Sequence, residues 1–133
     1  MLANEIRGPI SHQVFLESTG NAASTGNLPA WRAPYKCEVT AVTLVPSAAI
    51  TADGTNFATY TLTRHTAGAA AATVATRAWS AGNSAALTAE SMTLGAGVAL
   101  AADDTLTMIK TVAASGLLIP ACLLVVTYKL TGV

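Results

Sequence analysis

The chain has 133 residues, which suits one domain, since domains typically hold about 100–150 residues. Seven Lys+Arg balance seven Asp+Glu, so the formal net charge is +0. This balance argues against nucleic acid as a partner, because phosphate binding needs surplus cations, and against a polybasic membrane-surface protein. Charged residues make up only 11% of the chain, against a usual share of about 25%. A surface with so little repulsion favours association with other proteins.

Targeting and membrane signals are missing from the sequence. The longest apolar stretch, 117–126, is interrupted by Pro120 and is too short to cross a bilayer as a helix. The first ten residues, MLANEIRGPI, lack a basic start followed by an apolar block, which is the pattern of a secretory signal. We therefore expect a soluble protein with no membrane partner, made in a cytoplasm.

The first nine residues predict a short extended arm. Leu2, Ile6 and Arg7 follow no clean period, and Gly8-Pro9 ends the segment. Such an arm is either a frayed terminus or a tether that becomes ordered on a neighbouring subunit. The expected organisation is an arm over 1–9, followed by a single domain over 10–133.

Most of the remaining chain alternates apolar and polar residues with a period of two, the pattern of half-buried strands. Alanine (28 residues) would suit helices, but the 19 threonines recur on single strand faces, where β-branched residues fit best. A phase change near Ala41 indicates a bulge or a strand buried on both faces. The last strand is the most hydrophobic, which predicts a central, doubly buried position. The predicted strands are 10–18, 35–45, 57–64, 73–79, 92–94, 98–100, 105–112 and 118–130.

Between these strands the sequence predicts loops, one rigid connector and one short helix. The small and polar residues of 19–27 predict a loop, and the sequence of 67–72 predicts a loop or a loose turn. The alanine-rich segment 84–90 could form a short helix.

Seven to eight short strands separated by turn signals predict an all-β fold, an antiparallel β-sandwich. Eight strands would allow a jelly roll. Strands do not alternate with amphipathic helices, which excludes a doubly wound sheet.

The sequence shows no recognisable active site. Cys37 and Cys122 lie in apolar alternating segments and are expected to be buried small hydrophobic residues, without nearby His pairs for zinc. His12 and His65 lack metal-binding or nucleophile motifs. Asp53 and the pair Asp103-Asp104 fit turns better than calcium loops. We expect no enzyme, no catalytic residue, no cofactor and no metal.

One connector could anchor an interface. Trp31 and Arg32 lie between Pro29 and Pro34, and Trp and Arg are residue types that dominate binding energy at interfaces. An equally good reading places Trp31 in the core, as a plug at one end of the sandwich. Trp79 has the same ambiguity.

Three segments of the sequence resemble one known protein family. The stretch APYKCEVTAVTLVPSAAITADGTNFATYTLTRHTAG, the later ADDTLTMI and the closing GLLIPACLLVVTYKL are similar in layout to small decoration (cement) proteins of tailed-bacteriophage capsids. Ala102 stands where that family usually has Gly. The resemblance covers roughly residues 33–130. It implies a jelly-roll-like sandwich that forms small oligomers on the outside of a capsid.

The resemblance implies two partners: the major capsid protein and copies of the chain itself, with a homotrimer favoured over a dimer. The expected location is the exterior of a virion capsid. The alternatives are another virion component (a head-fibre base, a tail or a receptor-binding module) or a carbohydrate-binding module with a solvent-facing Trp31 or Trp79. The candidate subunit or capsid contacts are Leu2, Ile6, Arg7, Pro9, Ile10, Trp31, Arg32 and Pro34.

Overall fold

A computed structural model describes residues 8–132, apart from the side chain of Ala71. The described chain folds into two antiparallel sheets, which confirms the predicted all-β sandwich. The long strands are β1 (Ile10–Leu16), β2 (Gly26–Arg32), β3 (Cys37–Pro46), β4 (Ala58–Thr66), β5 (Ala69–Ala78), β9 (Thr105–Val112) and β10 (Cys122–Leu130). Three strands of two residues complete the sheets: β6 (Glu90–Ser91), β7 (Thr93–Leu94) and β8 (Ala99–Leu100). A single 3₁₀ turn, Ala96–Val98, is the helical element among residues 8–132.

The strand order is that of a jelly roll. Sheet A runs β1-β10-β3-β6, with β8 also paired to β3, and sheet B runs β2-β9-β4-β5-β7. Nearly every connection carries the chain from one sheet to the other, and β4–β5 is the only connection between successive strands that stays within a sheet in the described chain. Two sheets of Greek-key strands wound in this way define the double-sheet jelly roll.

The core lies between the inner faces of the two sheets. Leu124 and Val126 of sheet A are fully buried, as are Tyr60, Leu62 and Leu106 of sheet B. In β4 the face of Ala58, Tyr60 and Leu62 is the inner one, because alternate side chains of a strand point to the same side.

The phase change in β3 is a bulge. Ala41 pairs with Thr127 and Val39 pairs with Tyr128, so Thr40 is the extra residue. The bulge keeps both Val39 and Val42 in the core although they are three residues apart. The last strand, β10, is central, as predicted, since it lies between β1 and β3. Only one of its faces is fully buried, which corrects the expectation of burial on both.

Two loop predictions are wrong. Residues 26–32, assigned to a loop and a connector, form edge strand β2, which pairs with β9 from Gly26 opposite Lys110 to Arg32 opposite Thr105. Its register shifts just after Pro29, and an edge strand tolerates a proline because its outer N–H needs no partner. Residues 69–72 belong to β5, because Ala67 and Gly68, both at positive φ, close a two-residue hairpin.

The predicted short helix over 84–90 does not form. Leu87 has φ +53, which a right-handed helix does not allow, and its N–H donates to the Pro46 carbonyl at 2.7 Å. Ser84 is held instead by two backbone hydrogen bonds with Ile50. These tertiary contacts outweigh the helix propensity of the alanines.

Candidate functional site

The residues predicted as contacts fall into two groups. Leu2, Ile6 and Arg7, with most of the predicted arm, lie outside the described residues. Of the others, Pro9, Arg32 and Pro34 are exposed, whereas Ile10 and Trp31 are half-buried and pack against the core. 

Trp31 closes one edge of the sandwich. Its ring stacks on His12 of β1 with centroids 5.5 Å apart and lies 4.7 Å from the ring of Tyr128 on β10. Because Ile10 is opposite Tyr128 in the sheet, the structure places Ile10 and Trp31 at the same edge. Trp31 is therefore partly a plug of the core, with only part of its surface available to a partner.

Arg32 and Pro34 come after Trp31 in the chain and lie at the same end of the sandwich. The Arg32 guanidinium lies 3.2 Å from the Asp103 carboxylate, and both side chains are more than two-thirds exposed. An exposed pair of this kind contributes little to stability, about 0–1 kcal/mol, and is screened by salt. Both groups remain accessible to solvent and to a binding partner.

Trp79, by contrast, is a core residue. It is fully buried, and its ring meets that of Tyr60 edge to face with centroids 5.4 Å apart. The reading of Trp79 as an exposed interface or sugar-binding aromatic is therefore wrong. The segment after β5 folds back over it, which the sequence does not reveal.

The most distinctive surface of the described chain is the outer face of sheet A. Phe15 is 68% exposed there, and in register it lies beside Leu123, which lies beside Val45. This row gives the face an apolar band across three strands. We define the A-face as the outward side chains of Ser11, Gln13, Phe15, Ala41, Thr43, Val45, Ser91, Leu123, Val125 and Thr127.

The ten side chains of the A-face carry no charge, and charged residues lie at its two ends. Exposed Glu17 directly follows β1, and at the other end Glu38 and Lys129, whose charged atoms are 3.6 Å apart, largely cancel each other's charge. A neutral face with an apolar band gives little penalty for removing water, because no charge has to be desolvated. Its chemistry suits contact with another protein surface.

The outer face of sheet B differs in composition. Thr61 lies beside Ile109 on one side and Thr76 on the other, and Thr63 lies beside Thr107 and Thr73. Hydroxyl groups dominate this face, and its His65 ring bonds the Thr107 hydroxyl at 2.8 Å. His12 and His65 therefore lie on different sheets and form no shared site.

A half-buried polar cluster lies beneath the segment that follows β5. The Ser84 hydroxyl accepts from the Trp79 indole N–H at 2.7 Å and donates to the Glu90 carboxylate at 2.7 Å. Arg77 pairs with Glu90 at 3.3 Å and lies 5.1 Å from the Trp79 ring centroid. We call Arg77, Trp79, Ser84 and Glu90 the Glu90 network. Its groups satisfy one another, and Ser84 is only 3% exposed, so the network serves to hold the segment rather than to attack a substrate.

Both cysteines are buried, as predicted, and both are free. They lie at opposite ends of the β3–β10 ladder, where Cys37 is opposite Leu130 and Cys122 is opposite Pro46. Burial raises the pKa of Cys37 to about 11, with a smaller contribution from Asp104, and burial likewise raises the pKa of Cys122 to about 11. The thiolate is the reactive form of cysteine, so both are poor nucleophiles at neutral pH.

The aspartates serve turns. The Asp53 carboxylate accepts from the backbone N–H groups of Thr55 and Asn56, each at 2.8 Å, and these bonds lower its pKa. Asp104 accepts from the Ala101 N–H and the Thr66 hydroxyl, each at 2.9 Å. Within residues 8–132, no group of three or more His, Cys, Asp or Glu side chains could hold a metal ion.

The sequence of β1 places Phe15 on the face opposite Val14 and Leu16, but it does not reveal the A-face. The signal for Phe15 is the period-two alternation of β1. The neighbours Leu123 and Val45 are more than 75 residues apart in the chain, and only the strand register brings them together.

Comparison with protein-family models, curated proteins and solved structures gave no match. No helix of the described residues is long and apolar enough to cross a membrane.

Proposed function

We propose that the protein is a structural virion component that decorates the outer surface of a tailed-phage capsid and stabilises contacts between major capsid subunits. The A-face carries this proposal, because an uncharged sheet face with an exposed Phe15 suits burial against another protein. The jelly-roll order also supports it, since viral capsid domains use this architecture, as lectins do. The family resemblance of residues 33–130 points in the same direction.

The size of the A-face indicates how such binding would work. Three strands about 4.8 Å apart and seven residues at about 3.3 Å each give an area of roughly 350 Å². A standard protein interface buries about 800 Å² on each partner, so one A-face alone makes a weak contact. Self-association into a homotrimer, or a dimer, would present several A-faces at once and gain affinity through avidity.

Stabilisation of the shell follows from linkage. A protein that binds the assembled lattice and not the free subunits lowers the free energy of the assembled state alone. Neutral charge helps here, because many copies can lie close together on one shell without repelling one another. Neither a cofactor nor catalysis is needed for this role.

Substitution of Phe15 tests the proposed docking face. Because Phe15 is 68% exposed, we expect Phe15→Asp to fold normally. On the shell, the new carboxylate would have to lose its water against an apolar partner, so we expect at least a tenfold loss of affinity for undecorated capsids. Co-sedimentation of purified protein with such capsids measures this.

The matched control places the same charge on the other sheet. Thr111 is exposed on the outer face of sheet B, so Thr111→Asp should bind capsids as the unmodified chain does. If Phe15→Asp and Thr111→Asp bind equally well, the A-face is not the docking surface. If the unmodified chain does not bind capsids at all, the decoration role itself is wrong.

Removal of residues 1–9 tests the predicted arm. β1 begins at Ile10, so the truncation deletes no strand residue and the domain should keep its cooperative unfolding transition. We expect weaker capsid attachment, because the arm is predicted to order on a neighbouring subunit. Occupancy on shells, counted by cryo-EM, is the measurement. Equal occupancy for both lengths of chain would show that the arm takes no part in attachment.

A further inference from the structure

Strand β1 forms an open edge of sheet A. It lies at one end of the order β1-β10-β3-β6 and pairs with β10 alone, over the whole of Ile10–Leu16 and without a register shift. The unpaired N–H and C=O groups of such an edge are a template for another strand, so proteins commonly shorten, bulge or charge their edges or place a proline in them. The sequence of β1, ISHQVFL, contains no proline and no Asp, Glu, Lys or Arg.

The other strands at the sheet ends carry the protection that β1 lacks. β6, β7 and β8 have only two residues each. β2 is as long as β1, but it contains Pro29, its register shifts just after that proline, and it ends in the charged Arg32. Among residues 8–132, β1 is therefore the one long and regular strand whose edge is open to another chain.

The phase of the hydrogen bonds shows which groups of β1 face outward. In an antiparallel ladder, pairs that exchange both backbone bonds alternate with pairs that exchange none. The Ser47 N–H donates to the Ala121 carbonyl at 2.8 Å, so odd-numbered residues of β10 bond β3 and even-numbered ones bond β1. Through the β1–β10 register, Ser11, Gln13 and Phe15 direct their N–H and C=O groups away from β10. No backbone hydrogen bond from elsewhere in residues 8–132 reaches these groups.

We propose that β1 pairs with β1 of a second copy of the chain, antiparallel and about a two-fold axis at Gln13. Two identical antiparallel strands are self-complementary, so their pairing gives a closed dimer. Gln13 then lies opposite Gln13 of the second copy, and Ser11 lies opposite Phe15. Each of these pairs joins residues with outward N–H and C=O groups, so each pair exchanges both hydrogen bonds. This register overlaps the whole of Ile10–Leu16.

The side chains of β1 suit this pairing. On the inner face, Ile10 lies opposite Leu16 and His12 lies opposite Val14, so the second copy covers half-buried groups at the edge of the core. On the outer face, the two Gln13 amides meet at the axis, where each has both a donor and an acceptor for the other. Pairing thus extends the apolar inner layer and places polar groups on the outer one.

Charge does not oppose the pairing. Glu17 directly follows β1 and is exposed, and in the dimer it comes opposite Pro9 of the second copy. The two Glu17 residues lie eight positions apart along the paired strands, roughly 26 Å at about 3.3 Å per residue. This separation is well beyond the Debye length of about 8 Å at physiological salt.

The pairing also joins two A-faces into one surface. Two faces of roughly 350 Å² give roughly 700 Å², close to the 800 Å² or so that each partner contributes to a standard interface. The dimer follows from the strand edge and does not rest on the proposed role on a capsid. If that role holds, the dimer supplies the avidity that a single A-face lacks.

Sedimentation equilibrium of the purified full chain, without capsids, tests the dimer. A single strand edge is a small interface, so we expect a monomer–dimer equilibrium with a dissociation constant in the micromolar range. A chain that stays monomeric at millimolar concentration, or that forms a trimer, would overturn the proposal. Because no capsid is present, this result is independent of the test of the decoration role.

A proline at the axis blocks the edge. Gln13→Pro removes an outward N–H without a backbone partner in residues 8–132, and edge strands tolerate such a proline, so the domain should stay folded. We expect dimerisation to weaken by about tenfold or more, since both central hydrogen bonds are lost. Gln13→Ala keeps the N–H and should dimerise nearly as the unmodified chain does. Unchanged dimerisation of a folded Gln13→Pro variant would show that the edge of β1 is not the interface.

Introduced cysteines test the register without relying on the proline variant. Opposite residues of a hydrogen-bonded pair have Cα atoms about 5.5 Å apart, which is within disulfide range, so Gln13→Cys should form a disulfide-linked dimer under mild oxidation. Ser11→Cys is the matched control on the same face, because the two Ser11 residues lie roughly 13 Å apart in the dimer. The native cysteines are buried and do not compete. Equal cross-linking of the two variants, or none by Gln13→Cys, would contradict the pairing.

Discussion

Leu124→Asp should abolish folding. Leu124 lies in β10, the strand between β1 and β3, and its side chain is fully buried in the core. The substitution removes a buried leucine, at a cost of about 2–5 kcal/mol, and adds a buried charge that costs several kcal/mol more. The whole stability of a domain of this size is about 5–15 kcal/mol. Circular dichroism and NMR of the purified variant would show an unfolded or aggregated chain.

A control substitution on the same strand distinguishes the effect of burying a charge from the effect of merely introducing one. Thr127 is half-buried on the A-face, so the carboxylate introduced by Thr127→Asp remains in contact with water. We expect Thr127→Asp to fold and to lose about 1 kcal/mol, which is near the average for a point substitution. A soluble Leu124→Asp variant with a cooperative thermal transition would contradict the assignment of Leu124 to the core.

Glu90→Ala should lower the free energy of unfolding by about 3 kcal/mol. Glu90 and Arg77 are about one-fifth exposed, and removal of one partner leaves the other poorly solvated and without its counter-charge. The Ser84 hydroxyl loses its acceptor as well, while it still accepts from the Trp79 indole. Urea unfolding monitored by tryptophan fluorescence is a direct measurement, since Trp79 belongs to the network.

Glu38→Ala is the matched control, because it breaks a different ion pair. Glu38 and Lys129 are about half exposed, and exposed pairs contribute about 0–1 kcal/mol. Equal destabilisation by Glu90→Ala and Glu38→Ala would mean that the Glu90 network has no special structural role. If Glu90→Ala lowers the free energy of unfolding as expected and Glu38→Ala does not, the Glu90 network is the contact that fixes the segment between β5 and β6.

Strands whose apolar and polar residues alternate clearly were predictable from the sequence. Strands that form only because they pair with another strand were not. The prediction for β9, Thr105–Val112, is correct at both ends, because Leu106 and Met108 alternate with threonines. The sequence of β2, GNLPAWR, has no such alternation, and it becomes a strand only by pairing with β9. Residues 84–90 have helical propensity, yet the hydrogen bonds of Ser84 to Ile50 and of Leu87 to Pro46 prevent a helix.

The candidate sites were less predictable than the fold. The alternation of 10–18 predicts a strand, and the structure has β1 there, at Ile10–Leu16. The sequence does not show that β1 lies at the edge of sheet A, because that position depends on its pairing with β10 alone. The outward direction of the Gln13 N–H is likewise invisible in the sequence, because it depends on the phase of the hydrogen bonds between β10 and β3.

The sequence by itself determined the fold class, an antiparallel β-sandwich, together with the central position of β10 and the burial of both cysteines. Each of these follows from local alternation and composition, since residues that alternate every two positions divide between core and solvent in any sheet. Only the tertiary structure decided the jelly-roll strand order, the A-face and the Glu90 network. Those features depend on which strands pair and in which register, and that choice is made by contacts between residues far apart in the chain.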